Sequence, residues 1–383
     1  MKIGQFTDSF LPIVDGVGRV VSNYAALLGQ RGHETYVITP MQKSGYRGTL
    51  PYEIVDFDGM PLPSSPQYRA GMPILDMHYN HRMETVPLEI IHAHSPFVAG
   101  QEALRIAKRR RIPVVGTFHS KYYDDFMQIT GSRIVSELGT HYVVEFFEHC
   151  DEVWTVTHAS ADVLRDYGYH GEIHVIYNGT PIRPVEEAAV AEVRRRWGLG
   201  SAPVLLYVGQ QNWKKNLLCT LEAIALLRRS GQELKLVMVG IGPDREVIEK
   251  KAAELGLCGD IVFTGLVQEA PILDGLYRTA SLFLFPSLYD TAGLVVQEAA
   301  CMGTPSVVIR GSCAAEVIRD GENGFCCENS PESLCRTVRS ALADPERLAA
   351  IGRQAQKTIP IRWEDVIDRV EERYRALLEK YTR

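Results

Sequence analysis

The sequence lacks three features that would each assign the protein to a familiar class. Its 383 residues contain no apolar run of about 18 residues, so no membrane-spanning helix is predicted. Its eight cysteines form no CxxC pair, which is typical of reduced structural thiols rather than of a redox or metal site. Its net charge is −6, so the broad basic surface of a nucleic-acid-binding protein is missing, and we expect no nucleic-acid partner.

Cofactor and metal motifs are scarce as well. Gly16 and Gly18 form a GxG turn, but Val21 stands where the dinucleotide-binding fingerprint GxGxxG requires its third glycine. His92 and His94 form a pair that could bind a metal, although lining a turn is the simpler interpretation. All eleven histidines lie at or before position 174, so any imidazole chemistry must come from the first half. We expect neither a bound cofactor nor a metal.

What the sequence does contain is a repeated alternation of short apolar strands and longer amphipathic helices. Continuous strands rich in Val and Ile, separated by helices, indicate parallel sheets covered on both faces. The predicted strands are Ile3–Thr7, Tyr36–Thr39, Ile90–Ala93, Val114–Phe118, Val153–Val156, His174–Ile176, Val204–Val208, Leu234–Val239, Ile261–Phe263, Leu282–Phe285 and Ser306–Ile309. Proline and glycine in Asn178–Pro184 suggest a linker. The predicted fold class is α/β, with two Rossmann-like, doubly wound domains.

One segment of the second half combines acidic and small residues in an unusual order. A predicted strand ends at Pro286, Asp290 follows it, and a helix that carries Glu298 begins near Gly293. Free amides at the start of a helix suit a phosphate, whereas carboxylates suit hydroxyl groups. Five helical residues rise roughly 7–8 Å, so Asp290 and Glu298 could hold the two ends of one elongated ligand. The pattern favours a ligand with sugar-like hydroxyls on either side of a phosphate.

A second segment follows the first predicted strand of the same half. Gly209–Asn216 forms a strand-to-helix turn and carries Lys215. A cation at the start of a helix opposes the helix dipole, so its presence there suggests an anionic partner. The loop Gly240–Pro243 is a further place where the backbone can approach a ligand.

Together these segments resemble the retaining glycosyltransferases of family 4, which have the GT-B fold: two Rossmann-like domains facing a central cleft. The resemblance covers essentially the whole chain, and the N-terminal half is most similar to bacterial enzymes that glucosylate diacylglycerol. The matching segments are Asp290 to Pro305, Phe6–Pro12 with Gly16, His92–Pro96, Thr117–His119, Asn178-Gly179, Gly240–Pro243 and Glu316–Phe325.

The resemblance implies roles for individual residues. Glu298 is expected to bind the ribose, Asp290 the transferred sugar and Lys215 the diphosphate, while His119 lines the reacting centre. The expected catalytic residues are therefore His119, Asp290 and Lys215. The expected donor-binding residues are Gly16, Gln210, Lys215, Gly242, Asp290, Thr291, Ala292, Gly293, Leu294 and Glu298.

The resemblance also implies a division of labour between domains. Residues 1–184 are expected to form the acceptor-side domain and residues 185–360 the domain that binds the nucleotide sugar. Residues 361–383 carry an amphipathic stripe and are expected to form a helix that packs back on the N-terminal domain.

Three positions depart from the family pattern. Asp290 stands where Glu is usual, Gln210 where an arginine normally contacts the diphosphate, and Pro181 where an Asp normally follows the Asn-Gly pair. Loss of the arginine puts donor affinity in question unless Arg19 or Lys214 substitutes for it. None of the three changes removes Lys215, Glu298 or His119, so we expect an active enzyme.

The expected function is retaining, metal-independent transfer of a hexose, with glucose favoured, from a nucleoside diphosphate sugar such as UDP-glucose. The acceptor is expected to be a lipid or glycan hydroxyl, with diacylglycerol or another glycolipid precursor favoured. Two alternatives remain open: a nucleotide-sugar epimerase of similar fold, and a non-catalytic subunit that binds sugar nucleotides. The second is motivated by the departures at Gln210 and Asp290.

A run of four cations suggests a place for the acceptor. Lys108, Arg109, Arg110 and Arg111 lie next to one another, and such clusters favour anionic bilayers by about 1 kcal/mol per cation. We assign them, with Arg19, to acceptor or membrane contact, although a solvated helix end is the alternative. Since the N-terminal segment lacks the apolar core of a signal peptide, we expect a cytoplasmic protein, peripheral on the inner face of a membrane.

Overall fold

The computed structural model describes residues 1–10, 15–41, 49–62 and 65–382. The chain divides into two compact units, which we call the first unit (Met1–Asn178 with Trp363–Arg383) and the second unit (Gly179–Arg362). The unit borders fall at residues 178 and 362, whereas the sequence predicted domain borders at 184 and 360.

The first unit contains a sheet of eight strands in the order β4-β3-β2-β1-β5-β6-β7-β8. Neighbouring strands are parallel except β3 and β4, which form an antiparallel edge. The strands are β1 (Lys2–Phe6), β2 (Glu34–Met41), β3 (Glu53–Leu62), β4 (Ser65–Gly71), β5 (Ile90–Ala93), β6 (Val114–Phe118), β7 (Glu152–Thr155) and β8 (Ile173–Val175).

The second unit contains a parallel sheet of six strands in the order β11-β10-β9-β12-β13-β14. The strands are β9 (Val204–Val208), β10 (Lys235–Val239), β11 (Ile261–Gly265), β12 (Leu282–Phe285), β13 (Ser306–Ile309) and β14 (Phe325–Cys327).

Helices connect most of the successive strands in both units. They are α1 (Gly16–Gln30), α2 (Met77–Thr85), α3 (Val98–Arg110), α4 (Tyr122–Thr130), α5 (Arg133–Glu148), α6 (His158–Asp166), α7 (Glu187–Arg196), α8 (Leu217–Arg229), α9 (Arg245–Glu254), α10 (Ala270–Thr279), α11 (Leu294–Cys301), α12 (Pro331–Leu342), α13 (Pro345–Thr358) and α14 (Trp363–Thr382). Short 3-10 helices lie at Pro73–Leu75, Trp213–Lys215 and Cys313–Val317.

The central strands are apolar without alternation because helices cover both faces of each sheet. All four residues of β12 and all five of β6 are buried. Burial of one large apolar side chain contributes about 1.5–3 kcal/mol, so these short strands stabilise the fold well beyond what their length suggests. The same burial explains the continuous apolar runs in the sequence.

Helix α14 belongs to the first unit although it lies at the other end of the sequence. The ring of Trp363 meets that of Tyr24 on α1 edge to face, with centroids 5.9 Å apart. Arg31 donates to the Asp368 carboxylate at 2.6 Å, and Tyr374 is fully buried. The C-terminal helix therefore contributes both core and surface contacts to the N-terminal sheet's unit.

In each sheet the strand order reverses between two neighbouring strands. The loops that leave the carboxyl ends of these two strands run in opposite directions, because the chain connections on either side go opposite ways. In the second unit this point lies between β9 and β12, which pair in parallel through Leu206 and Phe283. In the first unit it lies between β1 and β5, which pair through Phe6 and Ala93. Such switch points are where open α/β sheets bind ligands.

The structure confirms the α/β class and the two parallel-sheet units. Every predicted strand is present, with ends shifted by at most a few residues. Three strands were not predicted: β3 and β4, whose sequences contain proline, and the three-residue β14. Leu11 and Pro12 of the opening segment lie outside the described residues.

Candidate active site

Lys215 and Asp290 meet at the switch point of the second unit. Lys215 ends the 3-10 helix that follows β9, and Asp290 lies in the loop that follows β12. The Lys215 Nζ lies 2.7 Å from Asp290 Oδ1, and both side chains are partly exposed, at 13% and 25%. Asn216 holds the two loops together, since its Nδ2 donates to the Pro286 carbonyl at 3.1 Å. The two predicted catalytic residues of this unit thus form one ion pair.

The second oxygen of Asp290 is a notable feature of this pair. Asp290 Oδ2 is buried and has no hydrogen-bond partner among the described residues. A buried carboxylate oxygen without a donor is costly, so it marks a place where a ligand hydroxyl would be favourable. The ring of Tyr289 lies beside the same cation, 5.2 Å from Lys215 Nζ.

Helix α11 begins directly after this pair and is left without a side-chain cap. Gly293 occupies the N-cap position with a φ of +56°, and no side-chain hydrogen bond caps the helix there. A Cβ at Gly293 would also lie only 3.0 Å from Ala314 Cβ, so both the left-handed conformation and the tight packing favour glycine. The predicted Thr291, Ala292 and Leu294 surround this helix start, and the first amide groups of a helix suit an anion.

Glu298 lies further along α11 and is buried, with 8% of its surface exposed. Its Oε2 accepts a hydrogen bond from the Tyr277 hydroxyl at 2.9 Å. Tyr277 contacts a predicted site residue but was missed by sequence reasoning, because it lies near the end of α10 and belongs to no recognisable motif. The bond fixes one carboxylate oxygen of Glu298 and so orients the side chain.

Gly242 and Gln210, the remaining predicted donor-binding residues of this unit, are held in position by contacts of the main chain. A Cβ at Gly242 would lie 2.3 Å from the Gln211 carbonyl oxygen, so two loops approach too closely for any other residue. Gln210 is exposed, and its carbonyl accepts a hydrogen bond from the Tyr207 hydroxyl at 2.8 Å. The structure therefore gives Gly242 a packing role, while the Gln210 side chain is accessible.

In the first unit, Gly16 and Arg19 lie in the first turn of α1. Asp15 caps this helix by accepting from the Gly18 amide at 2.7 Å, and Ser9 donates to its other oxygen. Gly16 is exposed, and an added Cβ would meet no described atom within 4 Å. The described packing therefore does not require glycine at this position. Arg19 is half-buried.

His119 follows β6 and is buried, with 8% of its surface exposed. Burial lowers the pKa of His119 to about 3, so its ring is neutral at physiological pH. Its Nε2 lies 3.0 Å from Nδ1 of His94. His92 and His94 are also fully buried and hydrogen-bonded within the unit. Among the described residues, no group of three or more His, Cys, Asp or Glu could hold a metal ion.

The sequence also contains one Asp-x-Asp triplet, a pattern that metal-dependent transferases use. Asp56 and Asp58 flank the buried Phe57 within β3. In the part of the chain that the structure describes, they belong to no metal-binding cluster of three or more side chains.

The run of cations at the end of α3 is not uniform. Lys108, Arg109 and Arg111 are exposed, whereas Arg110 is half-buried. The Arg110 guanidinium donates to the carbonyls of Met83 and Val86, which lie at and just after the end of α2. Arg110 therefore fastens α3 to the end of α2, and the assignment of the run to acceptor or membrane contact stays a prediction.

Comparison with known proteins identifies the family to which the two units belong. The family model "Glycosyltransferase Family 4" matches residues 14–183, and the model "Glycosyl transferases group 1" matches residues 190–358. The chain belongs to the family 4 glycosyltransferases. It is thus a hexosyltransferase that uses a nucleotide-sugar donor.

Several relatives of the transferase match over most of their length. An alpha-monoglucosyldiacylglycerol synthase of Acholeplasma laidlawii is 25% identical, over 99% of this chain and 98% of its own. A protein of the same name from Streptococcus pneumoniae is 28% identical, over 90% and 79%. A GDP-mannose-dependent alpha-(1-6)-phosphatidylinositol dimannoside mannosyltransferase of Mycobacterium tuberculosis is 26% identical, over 91% and 89%.

Solved structures share the fold of the transferase. Anabaena HepE in complex with UDP and glucose superposes with a TM-score of 0.79 at 18% identity, covering 97% of this chain and 99% of its own. Sucrose-phosphate synthase from Thermosynechococcus elongatus superposes with a TM-score of 0.82 at 18% identity, over 99% of each chain. Among the described helices of the transferase, none has the length and apolar character needed to cross a bilayer.

Proposed function

We propose that the transferase moves glucose from UDP-glucose to diacylglycerol or another glycolipid precursor, with retention of anomeric configuration and without a metal. The observation that carries the proposal is the Lys215–Asp290 pair beside the uncapped start of α11. This arrangement offers a cation, the start of a helix without a side-chain cap, and a carboxylate oxygen within one loop cluster. Those groups match a diphosphate joined to a sugar.

The donor roles follow from the hydrogen-bonding capacity of each group. The Lys215 ammonium has three N–H donors, and Asp290 uses one of them, so the others can contact the diphosphate. Asp290 Oδ2 can accept from a hydroxyl of the transferred sugar. Glu298 has one oxygen held by Tyr277, and the other is assigned to the ribose. The UDP and glucose bound by HepE support this donor class.

The reaction develops negative charge on the leaving diphosphate. We assign Lys215 and the amides at the start of α11 to this charge, because fixed donors of this kind stabilise a transition state. The acceptor hydroxyl then attacks from the face that the diphosphate leaves, and the diphosphate takes its proton. This route keeps the anomeric configuration and needs no second carboxylate as nucleophile.

Two surfaces of the first unit support a membrane-bound acceptor. The exposed cations Lys108, Arg109 and Arg111 would be attracted to anionic headgroups. The unit also exposes large apolar side chains, each between 61% and 86% accessible: Met72, Ile74, Leu75, Met77, Ile129, Ile134 and Leu138. Exposed apolar side chains in such number are typical of protein or membrane contact surfaces. The names of the two glucosyldiacylglycerol synthases point to the same acceptor class.

A donor panel tests the proposal. The protein is incubated with UDP-glucose, UDP-galactose or GDP-mannose and with vesicles that contain diacylglycerol, with and without EDTA. We expect an α-linked glucosyl lipid from UDP-glucose at a rate that EDTA does not change. A β-linked product would contradict retention, loss of turnover in EDTA would contradict metal independence, and a different preferred donor would contradict glucose.

Vesicle co-sedimentation tests the membrane surfaces. Replacing Ile134 and Leu138 by Gln, or the three exposed cations by Gln, should each reduce binding to anionic vesicles. The matched control is Val247→Gln, which removes an exposed apolar side chain (55% accessible) of the second unit. Equal loss in the control, or no loss in either variant, would contradict a role for these surfaces.

A further inference from the structure

A closed ring of contacts in the second unit passes through Glu298. It begins in the segment that follows the first unit along the chain, where the Thr180 amide donates to the Ile361 carbonyl at 2.8 Å. The Ile361 amide in turn donates to the side-chain oxygen of Gln297 at 3.0 Å. Gln297 directly precedes Glu298 on α11, so this half of the ring fastens the segment to the helix that carries Glu298.

The other half of the ring runs through α10. Arg183 lies shortly after Thr180 and forms two parallel hydrogen bonds with Asp274: its Nε donates to Oδ2 at 2.6 Å and its Nη2 to Oδ1 at 2.7 Å. Asp274 is buried and lies one turn before Tyr277 on α10, so the two side chains lie on one face of that helix. Tyr277 closes the ring, because its hydroxyl donates to Glu298 Oε2 at 2.9 Å.

The ring links the position of α10 to the direction of the Glu298 carboxylate. Tyr277 is fully buried, and its ring meets that of Phe283 edge to face with centroids 5.5 Å apart. In such close packing the tyrosine cannot compensate for a shift of α10, so a shift changes the hydrogen bond to Glu298. Two parallel bonds between arginine and a carboxylate fix direction as well as distance. The Arg183–Asp274 pair therefore restrains α10 against that shift.

The charge of Arg183 acts on the same carboxylate. The hydrogen bond with Asp274 raises the pKa of Arg183, and the negative charges of Asp274 and Glu298 raise it as well. This attraction is mutual, so Arg183 also favours the ionised form of Glu298. The ionised form is the one in which both carboxylate oxygens accept hydrogen bonds.

We propose that Arg183 is a positioning residue of the donor site, which acts through Asp274 and Tyr277 to keep Glu298 directed at the ribose hydroxyls. This inference rests on the proposed function in one respect, namely that Glu298 binds the ribose. Arg183 itself touches no part of the donor. Its loss should therefore weaken the binding of nucleotides that carry the ribose hydroxyls and leave the phosphate contact of Lys215 as it is.

Titration calorimetry with UDP and with its dideoxy analogue, which lacks both ribose hydroxyls, tests the inference. We expect the wild type to prefer UDP by at least about tenfold, because the analogue loses a hydrogen bond to a carboxylate. Arg183→Lys keeps the charge but not the two parallel bonds, so it should reduce this preference about threefold without changing affinity for the analogue. With UDP-glucose, the donor KM should rise by about the same factor while kcat changes less than about twofold.

A double-mutant cycle separates positioning from a general effect on folding. Tyr277→Phe removes the hydroxyl that Arg183 holds in place, so it should lower the preference for UDP at least as much as Arg183→Lys does. Combining the two should lower it no further than Tyr277→Phe alone, because both act through one hydrogen bond. If Arg183→Lys is too unstable to study, Arg183→Gln together with Asp274→Asn takes its place, since that pair removes both charges and keeps hydrogen-bonding atoms on both sides.

Arg195→Gln is the matched control. Arg195 also donates two hydrogen bonds to one carboxylate, that of Glu192, but both residues lie on α7 and the arginine is exposed. This variant should keep the preference of the wild type.

The outcomes are distinct. An unchanged preference in Arg183→Lys, an equal loss of affinity for UDP and its analogue, or full additivity with Tyr277→Phe would each overturn the inference. A wild type that binds both nucleotides equally would overturn the assignment of Glu298 to the ribose, and the inference with it. Absence of glucose transfer with an intact preference for UDP would contradict only the proposed reaction.

Discussion

The two units hold the side chains of their predicted sites in opposite ways. In the first unit, His119 is buried, neutral and hydrogen-bonded to another neutral side chain, His94. In the second unit, Lys215 and Asp290 are charged, partly exposed and paired with each other. Neutral buried groups can orient a ligand through hydrogen bonds but attract a charged ligand weakly, whereas a partly exposed cation attracts an anion strongly. The second unit is therefore suited to bind the diphosphate, and the first unit to orient uncharged groups.

The contrast extends to composition. All eleven histidines precede residue 175, so the second unit contains none. Its site depends instead on glycine backbones, a helix start and the Lys215–Asp290 ion pair. The first unit is thus the part of the molecule whose stability depends on imidazole protonation.

The largest effect should come from removing the cation of the charged site. Lys215→Ala deletes a charge-assisted contact worth about 1.5–3 kcal/mol, which corresponds to roughly 10–150-fold in UDP affinity. It also leaves the Asp290 carboxylate unpaired where the diphosphate is expected, so repulsion adds to the loss. Isothermal titration with UDP measures the affinity, and steady-state kinetics measure the larger fall in kcat/KM.

Lys214→Ala is the comparison for this variant. Lys214 lies 4.9 Å from the centre of the same Tyr289 ring, but the ion pair with Asp290 belongs to Lys215. We expect less than about a threefold loss of UDP affinity from this variant, because Lys214 is not the lysine that pairs with Asp290 beside the start of α11. Equal losses from the two lysines would mean that general positive charge, rather than the paired lysine, binds the donor.

The next effect separates the two carboxylates. Asp290→Asn should lower kcat on the order of tenfold, because its contact with the sugar tightens as the ring flattens. Its affinity for plain UDP should stay the same or rise, because Lys215 loses a competing anion. Glu298→Gln should weaken UDP binding and raise the donor KM, with a smaller change in kcat. Titration with UDP and kinetics with UDP-glucose and UDP-galactose distinguish the two; the reverse pattern would exchange the assignments.

The sequence predicts the elements of both sites better than their contacts. Apolar periodicity locates β9 and β12, and parallel strands bring the ends of both to the same edge. The pairing of Lys215 with Asp290 could not be predicted, because the two residues are 75 positions apart and each alone has other partners available. The contact of Gln5 with Tyr374 spans 369 positions and has no local signature.

Other differences have local causes. Strand β3 was not predicted because Gly59 and Pro61 interrupt its pattern, and such residues normally end a strand. Arg110 could not be separated from its neighbours, because a run of cations does not show which side chain faces the protein. Tyr277 was missed since a tyrosine on an amphipathic helix is more often a core residue than a partner of a carboxylate.

Acid should destabilise the first unit selectively. Burial lowers the pKa of His119 to about 3, and the pKa values of His92 and His94 also lie well below their usual value. Below about pH 6.5 these three histidines bind protons in the unfolded chain but stay neutral in the folded protein. The free energy of unfolding therefore falls by about 1.4 kcal/mol per pH unit for each histidine. Asp8 acts in the opposite direction, because burial raises its pKa to about 6 and the folded state then gains stability as pH falls from about 6 toward 3.8.

Three histidines outweigh one aspartate, so the net effect is a loss of stability. Hydrogen exchange measured at about pH 7 and about pH 5, corrected for the intrinsic rate, should show greater loss of protection in β1, β5 and β6 than in β9 and β12. His92→Gln keeps hydrogen-bonding atoms and should reduce the difference by about a third, whereas His78→Gln at an exposed position should not change it. Equal loss of hydrogen-exchange protection in both units would show that the buried histidines do not make the first unit more sensitive to acid than the second.

The smallest effect should come from adding a positive charge to the second unit, whose predicted site already contains the charged Lys215–Asp290 pair. Gln210 stands where the family resemblance leads us to expect an arginine. Its side chain is exposed, and its carbonyl accepts a hydrogen bond from the Tyr207 hydroxyl at 2.8 Å. Gln210→Arg should therefore place a guanidinium near the diphosphate without disturbing the loop. An exposed ionic contact contributes about 0.3–1 kcal/mol, so UDP affinity should rise roughly two- to fivefold and the gain should shrink at high ionic strength.

Gln354→Arg adds the same charge at an exposed position on α13 and is the control. If both variants bind UDP equally well, the residue at position 210 does not contact the phosphates. A gain from Gln210→Arg alone would mean that the residue at position 210 lies near the phosphates, and that in the native enzyme Lys215 carries a larger share of the donor affinity than it does in this variant.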